Sequence, residues 1–201
     1  MTRTQPSSTA RGRSQRDRVL RAAMDIFATQ GFRGASLDAV ADAVGMTRQG
    51  LLHYFPSKVQ LLLGVLEVRN EDDIALVEQA IADSHAFADA LVALARHNQQ
   101  RPELIRLFTV LAAESVDAGH PGHDRFVERY RSARAGFTER IETEQREGRI
   151  DARIAPASLA VLLIAVMDGL QLQHLLDPAS VDMAAPLAEL LSLLAPVSPR
   201  T

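Results

Sequence analysis

Apolar positions recur along this chain at helical spacing. Val19-Leu20, Ala22-Ala23 and Ile26-Phe27 place a stripe on a helix over about residues 15–30, which Ser14 begins, and Gly31 stops it so that Phe32 can fold back on the core. Leu37, Val40 and Val44 follow at i, i+3 and i+7, one face of a second helix. Ser36 ahead of them has the hydroxyl an N-cap needs, and Gly45 behind them can take the left-handed conformation that ends a helix and reverses the chain. Leu51 and Phe55, at i and i+4, mark a third helix whose other side is polar: Thr47, Arg48, Gln49 and His53. Ser57-Lys58-Val59-Gln60 then reads as a capping box. It opens a helix to about residue 83 through Leu61, Leu62, Val65, Leu66, Ile74, Val77 and Ile81, with Glu71-Asp72-Asp73 as the place for a break or bend. Further helices are predicted over about residues 87–100 and from Pro102 to about residue 117. After a turn at 118–123 come one capped by Asp124 and running to about residue 148, one over 156–176 and one over 182–194. With no strand and no repeat, the expected fold is all-α with about nine helices.

Two of these patterns bear on function. A pair of short helices joined by a tight turn containing Gly is the helix-turn-helix unit, whose second helix enters the DNA major groove; the alternative is an ordinary helical hairpin with a solvated face. The stretch SLAVLLIAVMDGLQLQHLL is apolar nearly all round, so one face alone cannot be its buried surface. With the Leu-rich final helix it suggests half of a four-helix bundle across a two-fold axis. The residues expected at that interface are Leu163, Val166, Met167, Leu170, Leu187, Leu190 and Leu191.

Composition changes this picture mainly through charge. The chain has 201 residues, 47% hydrophobic and 23% charged, enough for one large or two small globular domains. Its net charge of −3 is unevenly spread. Residues 1–58 hold nine Lys/Arg against four acids, +5, while 59–201 hold 13 against 21, −8. A basic head on an acidic body suits a DNA-binding domain joined to a regulatory one. The absence of cysteine excludes a disulfide framework and thiolate metal sites. The N-terminal MTRTQPSSTARGR lacks the apolar region of a signal peptide, and the apolar run 159–167 falls short of the ~20 residues that span a bilayer. A cytoplasmic protein with no membrane partner is expected. Residues 1–13 have no periodicity and read as a disordered basic arm, in which Arg3, Arg11 and Arg13 either follow DNA phosphates, enter a minor groove or form a solvated tail. The domains expected are thus 1–13, a helix-turn-helix domain over 14–58, and an effector-binding and dimerisation domain over 59–201.

The stretch VLRAAMDIFATQGFRGASLDAVADAVGMTRQGLLHYFPSK resembles the N-terminal DNA-binding domain of the TetR family of transcriptional regulators. It carries the A-x-x-x-F-x-x-x-G-F run, the G-x-[ST]-x-x-x-L recognition helix and the H-Y-F-P-S-K exit, without a gap. The resemblance implies DNA contacts from Ser36, Thr47, Arg48, Gln49, Gly50, His53, Tyr54 and Lys58, with Arg48 and Gln49 placed to reach base edges and Tyr54 and Lys58 to reach phosphate. One position departs: Leu52 stands where the family often has a Tyr that reaches a phosphate, and is left to pack against sugar or a thymine methyl. In the family the last two long helices commonly form the dimer interface. ESVDAGHPGHDRFVERY and LLIAVMDGLQLQ bear a looser likeness to members with a BetI-like effector domain.

Other chemistry is thin. His120 and His123, near Asp117 and Asp124, have the look of a metal site, but a solvated turn fits their loose spacing better, and no metal or cofactor is expected. No Ser-His-Asp order, phosphate loop or HExxH stretch is present, so no enzyme is expected. Phe108, Glu114, Tyr130, Phe137, Asp168 and Gln171 are the candidates for an effector pocket, each equally readable, like His174 and Phe126, as a satisfied core residue. Without Trp and with few aromatics, a cage for a quaternary ammonium ion is hard to build. The function expected is a homodimeric regulator, a repressor on a palindromic duplex operator released by a small-molecule effector. The alternative is a small-molecule-binding protein or enzyme that keeps the helical scaffold without DNA function.

Overall fold

A computed structural model of the chain describes residues 8–84 and 86–196, the side chains of 8–13 excepted. Among the described residues it has nine α-helices and no strand: α1 (Ser8–Gly34), α2 (Leu37–Ala43), α3 (Arg48–Tyr54), α4 (Lys58–Ser84), α5 (Phe87–Gln99), α6 (Pro102–Glu114), α7 (His123–Arg146), α8 (Pro156–Leu176) and α9 (Ala184–Ser192). The chain divides into two compact units, one ending at Arg69 and the other beginning at Asn70, so the division falls inside α4.

In the first unit α1 packs on α2 and α2 on α3. The predicted apolar stripes supply its interior: Val19, Leu20, Ala23, Phe27, Val40, Leu51, Phe55 and Leu61 are all buried. Gly31 leaves helical geometry at φ 70° and ψ 163°, the expected stop, after which one more turn carries the chain to Gly34. Phe32 meets Phe27 edge-on, ring centres 5.7 Å apart. The expected disordered arm is cut short, because α1 already begins at Ser8. Ala10, Arg11, Arg13 and Gln15 are good helix formers, and extending a nucleated helix costs far less than starting one. Residues 1–7, Arg3 among them, and the side chains of Arg11 and Arg13 lie outside the described residues.

The second unit is built around one apolar cluster to which α5, α7, α8 and α9 contribute, with Leu91, Ile141, Leu163 and Leu187 at most 1% exposed. α7 lies along α8, α9 against α5, and α6 against α8. Leu163, Leu187 and Leu191, expected at a subunit interface, are instead buried in this core, and Val166, Met167, Leu170 and Leu190 pack against it in part. α8 left its inward face unreadable because it has no apolar periodicity. Its exposed side carries Val161, Leu162, Leu172 and Leu176, between 49% and 78% exposed. By length and composition α8 is apolar enough to cross a membrane, contrary to the estimate from its longest uninterrupted run; here it packs along α7.

Three further expectations for the helices are not met. α4 runs through Glu71-Asp72-Asp73 without a break, since Asp73 turns inward to an ion pair with Arg129, 3.8 Å away. α6 ends at Glu114 rather than near Asp117. α7 begins at His123 with no side-chain cap, because the preceding turn is held from within: His120 Nδ1 meets Ser115 Oγ at 2.9 Å and accepts from Gly122 N at 3.1 Å, and His123 Nδ1 donates to the Ser115 carbonyl at 2.9 Å.

α7 ends in a Schellman turn that has a consequence elsewhere. Gly148 takes φ 74°, its N–H bonds the Gln145 carbonyl, and the Arg149 N–H bonds the Glu144 carbonyl. The reversal brings the Arg149 guanidinium onto the Glu144 carboxylate with contacts of 2.6 and 2.9 Å. Glu144 is nearly inaccessible and also accepts from the Phe87 N–H at 3.3 Å, closing the first turn of α5. Burial pushes its pKa up, but the Arg149 hydrogen bonds and charge, with Phe87 and Arg140 behind them, hold it below the usual carboxylate value.

Candidate nucleic-acid interface and ligand cavity

The helix-turn-helix is specified by local contacts. Ser36 Oγ accepts from Ala39 N at 3.0 Å and starts α2. The α2 end is another Schellman turn: Gly45 at φ 67°, its N–H on the Asp42 carbonyl, and the Met46 N–H on the Ala41 carbonyl. Thr47 Oγ1 then accepts from Gly50 N at 3.1 Å and starts α3. With Leu51 and Phe55 buried, Arg48, Gln49 and His53 are left exposed on the other side. Ser36 and Thr47 thus spend an oxygen lone pair on capping and keep a hydroxyl proton to donate. Gly50 is tight: a Cβ there would lie 3.3 Å from Thr47 Oγ1.

Two features of this face were not legible in the sequence. Arg48 is not free in solution but paired with Asp38 of α2 at 2.9 Å, both side chains more than half exposed. Lys58 donates to the Arg33 carbonyl at 3.2 Å and sits over the Phe32 ring, 4.8 Å from its centre. Tyr54 is half-buried and edge-on to His53, while Leu52 is half-buried on the same short helix.

The second unit contains a cavity of about 460 Å³. α4 supplies Asp73, Ile74, Val77, Glu78 and Ile81 to it, α7 supplies Arg129, Tyr130, Phe137, Arg140 and Thr143, and α8 supplies Ile164, Met167, Asp168 and Gln171. Four of the six expected pocket residues are therefore brought together: Tyr130, Phe137, Asp168 and Gln171. Phe108 lies outside this cavity and lines a smaller cleft of about 250 Å³, which shares Tyr130, Asp168 and Gln171 as its wall. Glu114 is exposed near the end of α6 and lines neither. His174 is a satisfied core residue whose Nδ1 donates to the Val181 carbonyl at 2.7 Å.

Two sets of polar groups in the cavity lining stand ten residues apart along α7, beside Asn98, Ser132, Thr143 and Gln171. In one, Tyr130 Oη donates to Asp168 Oδ2 at 2.8 Å. Beside them Arg129 pairs with Asp73, donates to Asn70 and lies over the Phe108 ring at 4.4 Å. In the other, Arg140 approaches Glu144 to 3.8 Å, and its Nε is buried with no hydrogen-bond partner among the described residues. Arg140 was missed in the sequence, although it continues the Tyr130 and Phe137 stripe by one turn. No group of three or more His, Cys, Asp or Glu among the described residues is arranged to hold a metal ion.

Comparison with known proteins matches both units. Residues 19–65 match the family of bacterial regulatory proteins of the tetR type, and residues 83–195 match the C-terminal region of BetI-type transcriptional repressors. The transcriptional regulator RutR of Escherichia coli K12 is 44% identical over 48 residues, 24% of this chain and 23% of RutR. The repressor NicS of Pseudomonas putida is 30% identical over 115 residues, 52% of this chain and 50% of NicS. The matched stretches thus span half or less of these relatives. Among solved structures, a TetR regulator from Haloarcula marismortui superposes with a TM-score of 0.76 at 16% identity, covering 90% of this chain and 96% of that one. A TetR-family regulator from Agrobacterium tumefaciens superposes at 0.73 and 18% identity, covering 92% and 99%. These agree on the all-α fold, and the matches over both units together show that the chain belongs to the TetR family of bacterial regulatory proteins, with a C-terminal region of the BetI type.

Proposed function

We propose that the protein is a DNA-binding transcriptional regulator, a repressor that holds a palindromic operator as a homodimer and is released when a small molecule enters the cavity of its second unit. The observation that carries this reading is the capped α3, whose exposed side presents Arg48, Gln49 and His53 together. The +5 charge of residues 1–58 supports it, as does the family, whose regulators bind DNA as dimers and take small-molecule effectors. The repressor role rests on the BetI-type C-terminal region. For the dimer, the exposed face of α8 offers Leu162, Ala165, Gly169, Leu172 and Leu176 at alternating spacings of three and four, the seam of a helix pair. This face takes the place of Leu163, Leu187 and Leu191, which are buried in the core. The rival reading, a ligand-binding protein or enzyme without DNA function, has only Leu52 behind it. Selection of fragments from the source genome on immobilised protein at moderate salt tests the proposal. Enrichment of one near-palindromic sequence is expected, and failure to retain any duplex above bulk DNA would defeat it.

A further inference from the structure

Two guanidinium groups line the cavity, and they stand in opposite conditions. Arg129 is committed to Asp73, Asn70 and the Phe108 ring. Arg140 is held but not satisfied. Its counter-charge, Glu144, lies at 3.8 Å, outside hydrogen-bonding distance. The Glu144 oxygens already accept from Arg149 Nε, Arg149 Nη2 and the Phe87 N–H. Glu144 thus attracts Arg140 without hydrogen-bonding it: Arg140 Nε is buried with no acceptor among the described residues, while the side chain as a whole is 30% exposed and lines the cavity. A planar carboxylate matches the fork of a guanidinium that is partly exposed in this way.

The other charges of the lining are Arg129 and four acids, two of which are engaged within the protein. Asp73 faces Arg129 and Asp168 accepts from Tyr130. Glu78 and Glu139 occupy exposed positions, where water and salt screen them. The lining also holds the apolar Val77, Ile81, Phe137 and Met167, with Asn98, Ser132 and Gln171 among them. The ten residues of α7 that separate Tyr130 from Arg140 correspond to about 15 Å of helix. The volume, about 460 Å³, is that of a small-molecule site.

We infer that the cavity takes an amphipathic monocarboxylate, its carboxylate on the Arg140 guanidinium and its apolar body along Phe137 and Met167 toward Tyr130 and Asp168. This rests on the cavity being the effector site, and it names the chemical class of the effector. The apolar body contributes affinity and Arg140 contributes the choice of head group. A cationic head there would be repelled by the guanidinium, and a neutral one would gain no hydrogen bond between opposite charges.

The test is calorimetric titration of the full-length protein, without DNA, with octanoate, decanoate and phenylbutyrate. Octanol, octylamine and octyl phosphate serve as controls of equal chain. Octanoate is expected to bind at least ~tenfold more tightly than octanol or octylamine, a discrimination of about 1.4 kcal/mol. Arg140→Gln should abolish that preference, and Arg140→Lys should keep part of it. Should Arg140→Gln fail to fold, the head-group series on the wild type decides. Equal binding of octanoate and octanol, preference for the amine or the phosphate, unaltered selectivity in Arg140→Gln, or no carboxylate binding at millimolar concentration would each overturn the inference. Because DNA is absent, a carboxylate that binds normally yet leaves operator retention unchanged would defeat the regulatory reading and spare the ligand class.

Discussion

Arg48 illustrates how a side chain expected to read DNA is stored in its absence. Its ion pair with Asp38 is more than half exposed on both sides, so it adds little stability. In the proposed complex that pair would occupy the guanidinium a guanine would take, and Asp38 would bring a negative charge toward the phosphates. Arg48→Ala should cost about 1–3 kcal/mol on the preferred operator and relax its sequence preference. Asp38→Asn should instead tighten binding to all duplexes, most at low salt, as electrophoretic titrations at two ionic strengths would reveal; no effect of either change would remove Arg48 from the interface. Glu144 gives the opposite case, a buried carboxylate whose partners are all internal. Its folded pKa is lowered, so its stabilisation is complete above the unfolded value of about 4.3 and is lost as pH falls through the folded one. Glu144→Gln should cost about 2–3 kcal/mol at neutral pH. That difference should narrow below about pH 4, as urea midpoints measured down the pH scale would report. A difference independent of pH would mean that packing rather than charge is lost.

Among the helices, what could be read in the chain was what is decided locally. Ser36 and Ser57 cap as expected, Gly45 turns left-handed, and Pro156 opens α8, because each depends on residues within one turn. What could not be read depends on distant partners. The acids at 71–73 looked like a break because Arg129, which answers Asp73, lies on another helix. Leu162 and Leu163 are chemically identical neighbours, and only packing of α8 into the core along α7 sends one outward and the other in. The cavity was found through its aromatics, and Arg140 escaped because an Arg on a helix is ordinarily solvated. Gly64 is a similar hidden constraint. A Cβ there would lie 2.7 Å from Leu20 Cδ2 and 3.2 Å from Phe55 Cε1, and both side chains are buried with little room to yield. Although Ala favours helix over Gly by about 1 kcal/mol, Gly64→Ala should destabilise the first unit by about 1–3 kcal/mol net. Thermal unfolding would check this, and a stabilised variant would show that the Leu20–Phe55 contact is looser than it looks.

For the molecule as a regulator, the separation of an interior face of α8 from an exposed one makes assembly testable apart from folding. Leu162→Glu with Leu172→Glu should give helical monomers by sedimentation, whereas Leu163→Glu, 1% exposed in the core, should unfold the second unit. Retained dimers in the double variant would place the interface elsewhere. Release by a ligand requires one more link, and α4 is the element on which it can be argued. The helix begins in the first unit and contributes Asp73, Ile74, Val77, Glu78 and Ile81 to the cavity of the second. A ligand between α4 and α7 acts on DNA binding only if it prefers one disposition of α4 over that held on the operator. A preference of about 1.4 kcal/mol weakens the operator tenfold. Linkage then requires operator DNA to weaken the ligand by the same factor. The measurement is a pair of titrations of a binding carboxylate, one with free protein and one with protein saturated by operator. Affinities differing by the factor seen in operator release are expected. Equal affinities would mean that the cavity and the recognition helix are not coupled, even in a protein that dimerises and binds DNA.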